Sequence, residues 1–411
     1  MAMRDLIKIE DIVIPNPKIS ISKGAVVDYI PMEEISPNNR YVFSKQKRKY
    51  NGGAKFENED IIFARITPCL QNRKISQYIS DSKNPASGST EYFVFRSIPN
   101  VSDNAYIYYL LKSDLVVETA INSMKGASGR QRAEIKPILD LQMNIPKYSE
   151  QVAIGKFLSA YDNLIENNNR RIAILEEMAQ RLYREWFVHF RFPGHESVNM
   201  VESELGSIPE NWSIANFYEI ADILGGGTPS KVKPEYWING DIPLFSPRDA
   251  FGQIYIQDTE MHISKLGLEK CNSKLYPADT VIITARGTVG KIALLSIDMA
   301  INQSCYALIG KHVGQRFLYY HLKNAINQIK KIANGTAFDT IITDTFRSII
   351  CLLPTDDITG LFENKAKTLF DNILSLQMKN TNLRKTRDLL LPPLISGNID
   401  VSDLPIPTEE D

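Results

Sequence analysis

The chain has 411 residues, enough for roughly two to four units with their own cores, and its 43% hydrophobic and 23% charged content is that of an ordinary globular protein. A formal net charge of −1 excludes a uniformly basic polyanion binder, and no apolar run approaches the ~20 residues of a membrane helix. The charge is unevenly spread: 21 Lys and Arg against 16 Asp and Glu in 1–148, 6 against 9 in 149–208, 14 against 13 in 209–354, and 6 against 10 in 355–411. Basic charge thus lies in two segments read as globular, acidic charge in segments read as helical, and polyanion binding follows the local balance.

With no secretory leader recognised and no CxxC among Cys69, Cys271, Cys305 and Cys351, a cytoplasmic location with reduced thiols is expected. The five histidines show no HxxxH or HExxH spacing, so no structural metal is expected.

Residues 1–148 read as mixed α/β. Short strand-like runs occur at Ile61–Arg65 and Glu91–Phe95, and Tyr106–Ala120 is apolar on one helical face. The run Lys45-Gln46-Lys47-Arg48-Lys49 is the densest basic stretch of the chain and reads as a loop. A second basic group, Arg130-Gln131-Arg132, follows Gly126-Ala127-Ser128-Gly129. Arg and Gln donors on a flexible backbone suit base edges in a major groove, Arg on guanine and Gln on adenine.

The region 149–192 is helical. Leu158, Tyr161, Ile165, Ile172, Leu175, Ala179, Leu182 and Trp186 recur at alternating steps of 3 and 4, with polar Asn168 in one slot. This is a heptad seam, entered after Pro146 with Ser149 as cap and stopped at Pro193-Gly194. A single long helix in mid-chain needs a partner, and the region 355–411 supplies it. There Leu369, Ile373, Leu376, Asn380, Leu383 and Leu390 repeat the pattern with Arg387 in one slot, up to Pro392-Pro393 and an acidic tail. Tyr161-Asp-Asn-Leu-Ile165 matches Phe370-Asp-Asn-Ile-Leu374 at an offset of 209.

Between them, 193–354 comprises a linker (193–208) and a second globular segment that echoes the first. Ile242-Pro243-Leu244 echoes Ile30-Pro31-Met32, Thr280–Arg286 echoes Glu59–Arg65, and Gly335-Thr336-Ala337 echoes Gly126-Ala127-Ser128. The fold class expected is α+β: two mixed α/β domains separated by two long antiparallel helices, a tandem pseudo-symmetric repeat.

Enzymatic signatures are missing. Leu224-Gly-Gly-Gly-Thr-Pro-Ser-Lys231 lacks the GxxxxGK[ST] order of a phosphate loop. Neither GxGxxG after a strand nor GxSxG is present, and no carboxylates are paired at catalytic spacing. No catalytic residue and no metal ligand is assigned, and catalysis by this chain is not expected.

The order of parts closely resembles the specificity subunits of type I restriction–modification enzymes. The resemblance is carried by Ile208-Pro-Glu-Asn-Trp212, Leu224-Gly-Gly-Gly-Thr-Pro-Ser230, Pro234-Glu-Tyr-Trp237 and Asp241–Pro247. Ala285-Arg-Gly-Thr-Val-Gly290, Asn302-Gln-Ser304 and the two helical regions extend it. It covers nearly the whole chain, although the first segment lacks the GGTP string. It implies two target recognition domains, each reading one half of a split, asymmetric DNA site, with the helices as a spacer and docking surface.

It further implies two modification (methyltransferase) subunits as partners and, through them, a restriction (translocase) subunit. No cofactor belongs to this chain, S-adenosylmethionine, ATP and Mg being confined to the partners. On that reading Lys45, Lys47, Arg48 and Lys49 hold phosphates, while Gln46, Arg130, Gln131 and Arg132 read bases in the first domain. Thr228, Ser230, Lys231, Arg248, Asp249, Arg286 and Thr288 are their counterparts in the second. Arg65 and Arg286 are either DNA contacts or structural ion pairs, Asn302 and Gln303 either readers or a packed amide network, and Gly335-Thr336 a DNA-facing loop. The rival readings are a free-standing bivalent DNA-binding scaffold dimerising through its helices and an enzyme with a cryptic nuclease or phosphate-handling site.

Overall fold

The computed structural model describes residues 6–127, 129–250, 252–332, 340–399 and 401, with backbone only over 327–332. It divides into two compact units, one of residues 1–169 and 379–411, the other of residues 170–378. Both divisions fall inside long helices. The central helix is Tyr148–Phe187 and the distal helix Asp356–Ile395, 40 residues each, about 60 Å at ~1.5 Å per residue. The central helix ends before the expected stop at Pro193-Gly194, the backbone turning left-handed at Phe190.

The distal helix does not stop at its prolines. Pro392 and Pro393 lie inside it and each removes an N–H donor. Leu391, Leu394 and Ile395 are buried in the core of the first unit, and that burial holds the last turn helical.

The first unit is built on a five-stranded sheet of β1 (Val13–Pro15), β2 (Tyr41–Val42), β3 (Ile61–Ala64), β4 (Ile75–Tyr78) and β5 (Tyr92–Ser97), ordered β1-β5-β3-β4-β2. The second repeats it with β6 (Ala221–Gly225), β7 (Tyr255–Ile256), β8 (Val281–Thr284), β9 (Ile292–Leu295) and β10 (Cys305–Gly310), ordered β6-β10-β8-β9-β7. In each sheet only the last pair is parallel. The β3 and β8 side chains are buried throughout, as apolar runs covered on both faces must be.

The ladders correct two sequence matches. Tyr92 pairs with Ala64, and Cys305 with Thr284. The Arg65 N–H donates to the Glu91 carbonyl at 3.0 Å and the Ala285 N–H to the Ser304 carbonyl at 2.7 Å, so Arg65 is equivalent to Ala285. The strands are equivalent, but the two Ala-Arg pairs are one residue out of step, which in a strand means opposite faces. Ile30 pairs in parallel with Gly88 and Phe245 with Ile301, so Ile30 corresponds to Phe245 and not to Ile242.

The two long helices pack antiparallel within each unit, with unlike chemistry. In the first unit Ile154 and Leu158 join Leu391 and Leu394 in the core. Asn168 donates to Asn380 at 2.8 Å, which donates to Asn169 at 2.9 Å. Asp162, 2% exposed, accepts from the buried Arg387 and from the Tyr109 hydroxyl. Arg40 joins this group, donating to Ser159 and to Gln77 (2.9 Å) with its guanidinium against the rings of Tyr41, Tyr108 and Tyr109.

In the second unit the seam is aromatic. Tyr183, Trp186 and Phe187 of the central helix meet Phe362 of the distal helix at ring separations of 5.1–6.2 Å, with Phe317 and Trp212 behind.

Of the seam residues read from the sequence, Leu158, Ile165, Asn168, Ala179, Trp186, Ile373, Leu376 and Asn380 are buried. Tyr161, Ile172, Leu175, Leu182, Leu369, Leu383 and Leu390 are half-buried. Buried Asp162, Tyr183 and Phe187 were not in the heptad, because the helices pack on their domain as well as on each other.

Each unit also pins a long helix to the start of a domain helix. Gln151 of the central helix accepts from the Asp103 N–H at 3.0 Å, just before Asn104–Lys112. Glu363 of the distal helix accepts from the N–H groups of Arg316 (3.1 Å) and Phe317 (3.2 Å) at the start of Gln315–Ile332. Carboxylate and amide acceptors there meet helix N–H donors that lack intrahelical partners.

Candidate nucleic-acid interface

In the first unit, Lys47–Lys49 is a strand, not the expected loop. It is the edge of a four-stranded sheet with Val26–Ile30, Ala86–Gly88 and Lys55–Phe56, and it pairs antiparallel with Val26–Asp28. Lys45, Gln46, Lys47, Arg48 and Lys49 are all exposed, and Arg48 stacks 4.5 Å from the Tyr29 ring. Cations on an open edge also protect it from pairing with another chain.

The second basic group is a hairpin closed by Lys125 and Arg132, whose N–H groups and carbonyls exchange bonds of 2.9 and 3.0 Å. Arg130 is exposed at its tip, while the Gln131 carbonyl accepts from the Thr67 N–H at 3.0 Å. Arg132 grips Glu91 bidentately at 2.7–2.9 Å, and this carboxylate raises the guanidinium's pKa above its ordinary value. Arg132 therefore presents a planar group whose orientation is already fixed.

Arg65 stands beside this hairpin, its carbonyl accepting from the Ala133 N–H at 2.8 Å. The side chain makes no ion pair among the described residues. It lies 4.8 Å from the Phe93 ring centroid, and its Nε is buried without a hydrogen-bond partner.

In the second unit a cleft of about 430 Å³ gathers Lys231, Arg248, Arg286, Thr288 and Asn302. Ser246 and Ser304, which were not singled out as readers, also line it. Lys231, Arg248, Arg286 and Thr288 are exposed, and Arg286 makes no structural ion pair among the described residues. Ser230 is exposed at the rim, its carbonyl accepting from the Trp237 indole at 3.1 Å.

Asp249 departs from the reader role. It is buried; one carboxylate oxygen accepts from the Ser246 N–H and hydroxyl (both 2.8 Å) and the other from the Glu260 N–H (2.9 Å). It holds the turn that presents Arg248. Thr228 donates to Gln303, and Asn302 accepts from the Ser304 N–H at 2.9 Å, so this pair combines loop fixing with one half-buried amide, Asn302, and one exposed, Gln303. Gly335 and Thr336 lie outside the described residues.

Among the described residues no group of three or more His, Cys, Asp or Glu side chains is arranged to hold a metal ion, and no helix is long and apolar enough to cross a membrane.

Comparison with known proteins gives this arrangement its class. The family described as the type I restriction modification DNA specificity domain matches residues 1–177 and 209–371. The specificity subunit of the MjaIX type I restriction enzyme of Methanocaldococcus jannaschii is 26% identical, covering 95% of this chain and 90% of that one. The HindI specificity subunit of Haemophilus influenzae is 25% identical, covering 83% of this chain and 86% of that one. A crystal structure of a type I restriction–modification S subunit from M. genitalium aligns over 95% of both chains with a TM-score of 0.54 at 16% identity, a likeness of fold. The chain belongs to the type I restriction–modification specificity family: it is a DNA specificity subunit, a non-catalytic part of such a system.

Proposed function

We propose that this specificity subunit reads a split, asymmetric double-stranded DNA target, one half with each unit. The long helices set the gap, and modification subunits dock on them, two per chain; a restriction subunit attaches through these. Reading is direct, by polar side chains on base edges, with flanking cations on phosphates.

The observation that carries the reading is one scaffold used twice with unlike surfaces. The sheets share strand order and register, yet Arg65 falls where the second unit has Ala285, and Arg248 falls where the first has Glu33. Two equal frames with different donors suit two different half-sites. Exposed Leu164, Ile174 and Met178 on the central helix, and Met378 and Leu389 on the distal helix, favour a protein partner along the helices.

The test is selection from random duplex DNA by the chain copurified with its modification subunits. Two short fixed blocks separated by an unspecified gap are expected. Replacing Arg130→Ala with Arg132→Ala should relax one block and leave the other intact. A single block, or equal loss at both blocks, would overturn the two-reader scheme.

A further inference from the structure

A cleft of about 710 Å³ opens in the first unit between the chain after β1, the turn at Gly53–Lys55 and the end of β3. Three cations line it, Lys18, Lys55 and Arg65, and no carboxylate among the described residues does. Lys18 is exposed at the mouth. Lys55 is half-buried and spends one proton on the Ile19 carbonyl at 2.9 Å. Arg65 is the unusual member, a half-buried guanidinium with an unbonded buried Nε and an aromatic ring against it. The carboxylate next to it along the ladder, Glu91, is committed to Arg132.

The second unit acts as an internal control. Val13 pairs with Ser97 and Ala221 with Gly310, so counting on from β1 and β6 sets Lys18 against Gly226. Phe56 pairs with Ala86 and Tyr276 with Met299, which sets Lys55 against Leu275. Arg65 is set against Ala285 by their N–H bonds to the Glu91 and Ser304 carbonyls. The same frame therefore folds with glycine, leucine and alanine at these three places, and the fold does not require the cations.

The space itself is also particular to the first unit. A side chain on Gly226 would collide with the carbonyls of Ile301 and Asn302, and one on Gly227 with the backbone of Asn272, so the glycine loop lies flat on the strand and closes the equivalent gap. In the first unit Lys18-Ile19-Ser20 leaves the gap open.

We infer that the Lys18–Lys55–Arg65 cleft is a phosphate-binding site confined to the first unit. Resting on the proposed DNA-reading role, it takes a phosphodiester of the bound duplex. The missing acceptor for Arg65 Nε is then a phosphate oxygen, reached together with the remaining Lys55 protons. Such an interaction gives affinity and register without sequence information.

The experiment compares the wild-type chain, copurified with its modification subunits, with the Arg65→Gln/Lys55→Gln variant. Duplex binding is measured over a range of salt concentrations. Removing a cation from one DNA phosphate lowers the slope of log K against log salt by about 0.9. Both cations serve one phosphate, so a fall of about one is expected, with affinity reduced about tenfold or more on every sequence alike.

In a second arm, inorganic phosphate is titrated against the DNA-free protein and the unfolding temperature followed. A rise in wild type that is absent in the variant confirms an anion site. If duplex binding is then unchanged, the site belongs to free phosphate and the phosphodiester assignment falls. An unchanged slope with loss restricted to one base pair would overturn the inference in favour of a base reader. No effect in either arm would also overturn it. Failure of the wild-type protein to select any duplex would instead count against the DNA-reading proposal, which the phosphate arm does not depend on.

Discussion

The two helix seams make the sharpest contrast in the molecule. In the first unit, Asp162 and Arg387 face each other in the interior beside Arg40 and Tyr109, with the Asn168–Asn380 amide pair further along. In the second, Tyr183, Trp186, Phe187 and Phe362 form a dense ring cluster. Yet the sequence string is nearly the same, Tyr161-Asp-Asn-Leu-Ile165 and Phe370-Asp-Asn-Ile-Leu374. In the first copy the aspartate points inward. In the second Phe370 is fully buried, while Asp371 is exposed and pairs with Lys367 one turn away. A duplicated helix can thus keep its letters and change the face it buries. A polar seam costs desolvation but tolerates only one register, whereas a ring cluster stabilises through area and packing.

The largest test of this contrast is Asp162→Ala, which strands Arg387 and the Tyr109 hydroxyl in the interior. We expect a loss of about 3–5 kcal/mol in denaturant unfolding of the first unit. Replacing the whole group at once, Asp162→Leu with Arg387→Met and Tyr109→Phe, should recover most of that loss. A triple variant as unstable as Asp162→Ala would show that the charges stabilise outright.

The units should also respond to pH in different windows. Burial lowers the His321 pKa to about 4, so this ring stays neutral in the folded second unit, accepting or donating at Nδ1 to the Tyr183 hydroxyl at 2.8 Å. The unfolded chain takes up a proton below pH 6.5 that the folded chain refuses. Stability therefore declines as pH falls from about 6.5 to about 4 and does not depend on this group above that range. His321→Phe with Tyr183→Phe should flatten the acid slope.

In the first unit burial, reinforced by Arg387, lowers the Lys112 pKa to about 8. Here the folded state gives up its proton first, so stability rises with pH above about 8, before the buried tyrosines oppose it near the ordinary tyrosine range. Thermal unfolding of Lys112→Met should lack that rise. Tyr183→Phe alone removes one buried hydrogen bond and should cost about 1–2 kcal/mol. Smallest of all, Asp371→Ala should change stability by no more than about 0.5 kcal/mol, in contrast to its sequence twin Asp162.

The sequence foretold the duplication, the two long helices and the second unit's basic group, because periodicity and ordered motifs survive without coordinates. Register was harder. The Ala64-Arg65 and Ala285-Arg286 match is good spelling but is shifted by one against the hydrogen-bond ladder, which no single-strand pattern reveals. Lys18 and Lys55 were missed since they are isolated in sequence and meet only through the sheet. Asp249 was taken for a reader because a loop carboxylate next to an arginine looks the same whether it faces solvent or caps a turn. The Asp162–Arg387 pair lay beyond reach for a similar reason: a heptad count had room for Arg387 and none for Asp162.

The division of the chain inside its helices carries a consequence for synthesis. Residues 170–378 form one uninterrupted stretch, so the second unit is complete once Met378 has been made. The first unit, begun earlier, still lacks Arg387, Leu391, Leu394 and Ile395, the residues that neutralise Asp162 and cover Ile154 and Leu158. The half that starts first on the ribosome is therefore the half that closes last, and until it closes the Asp162 carboxylate lacks its Arg387 partner.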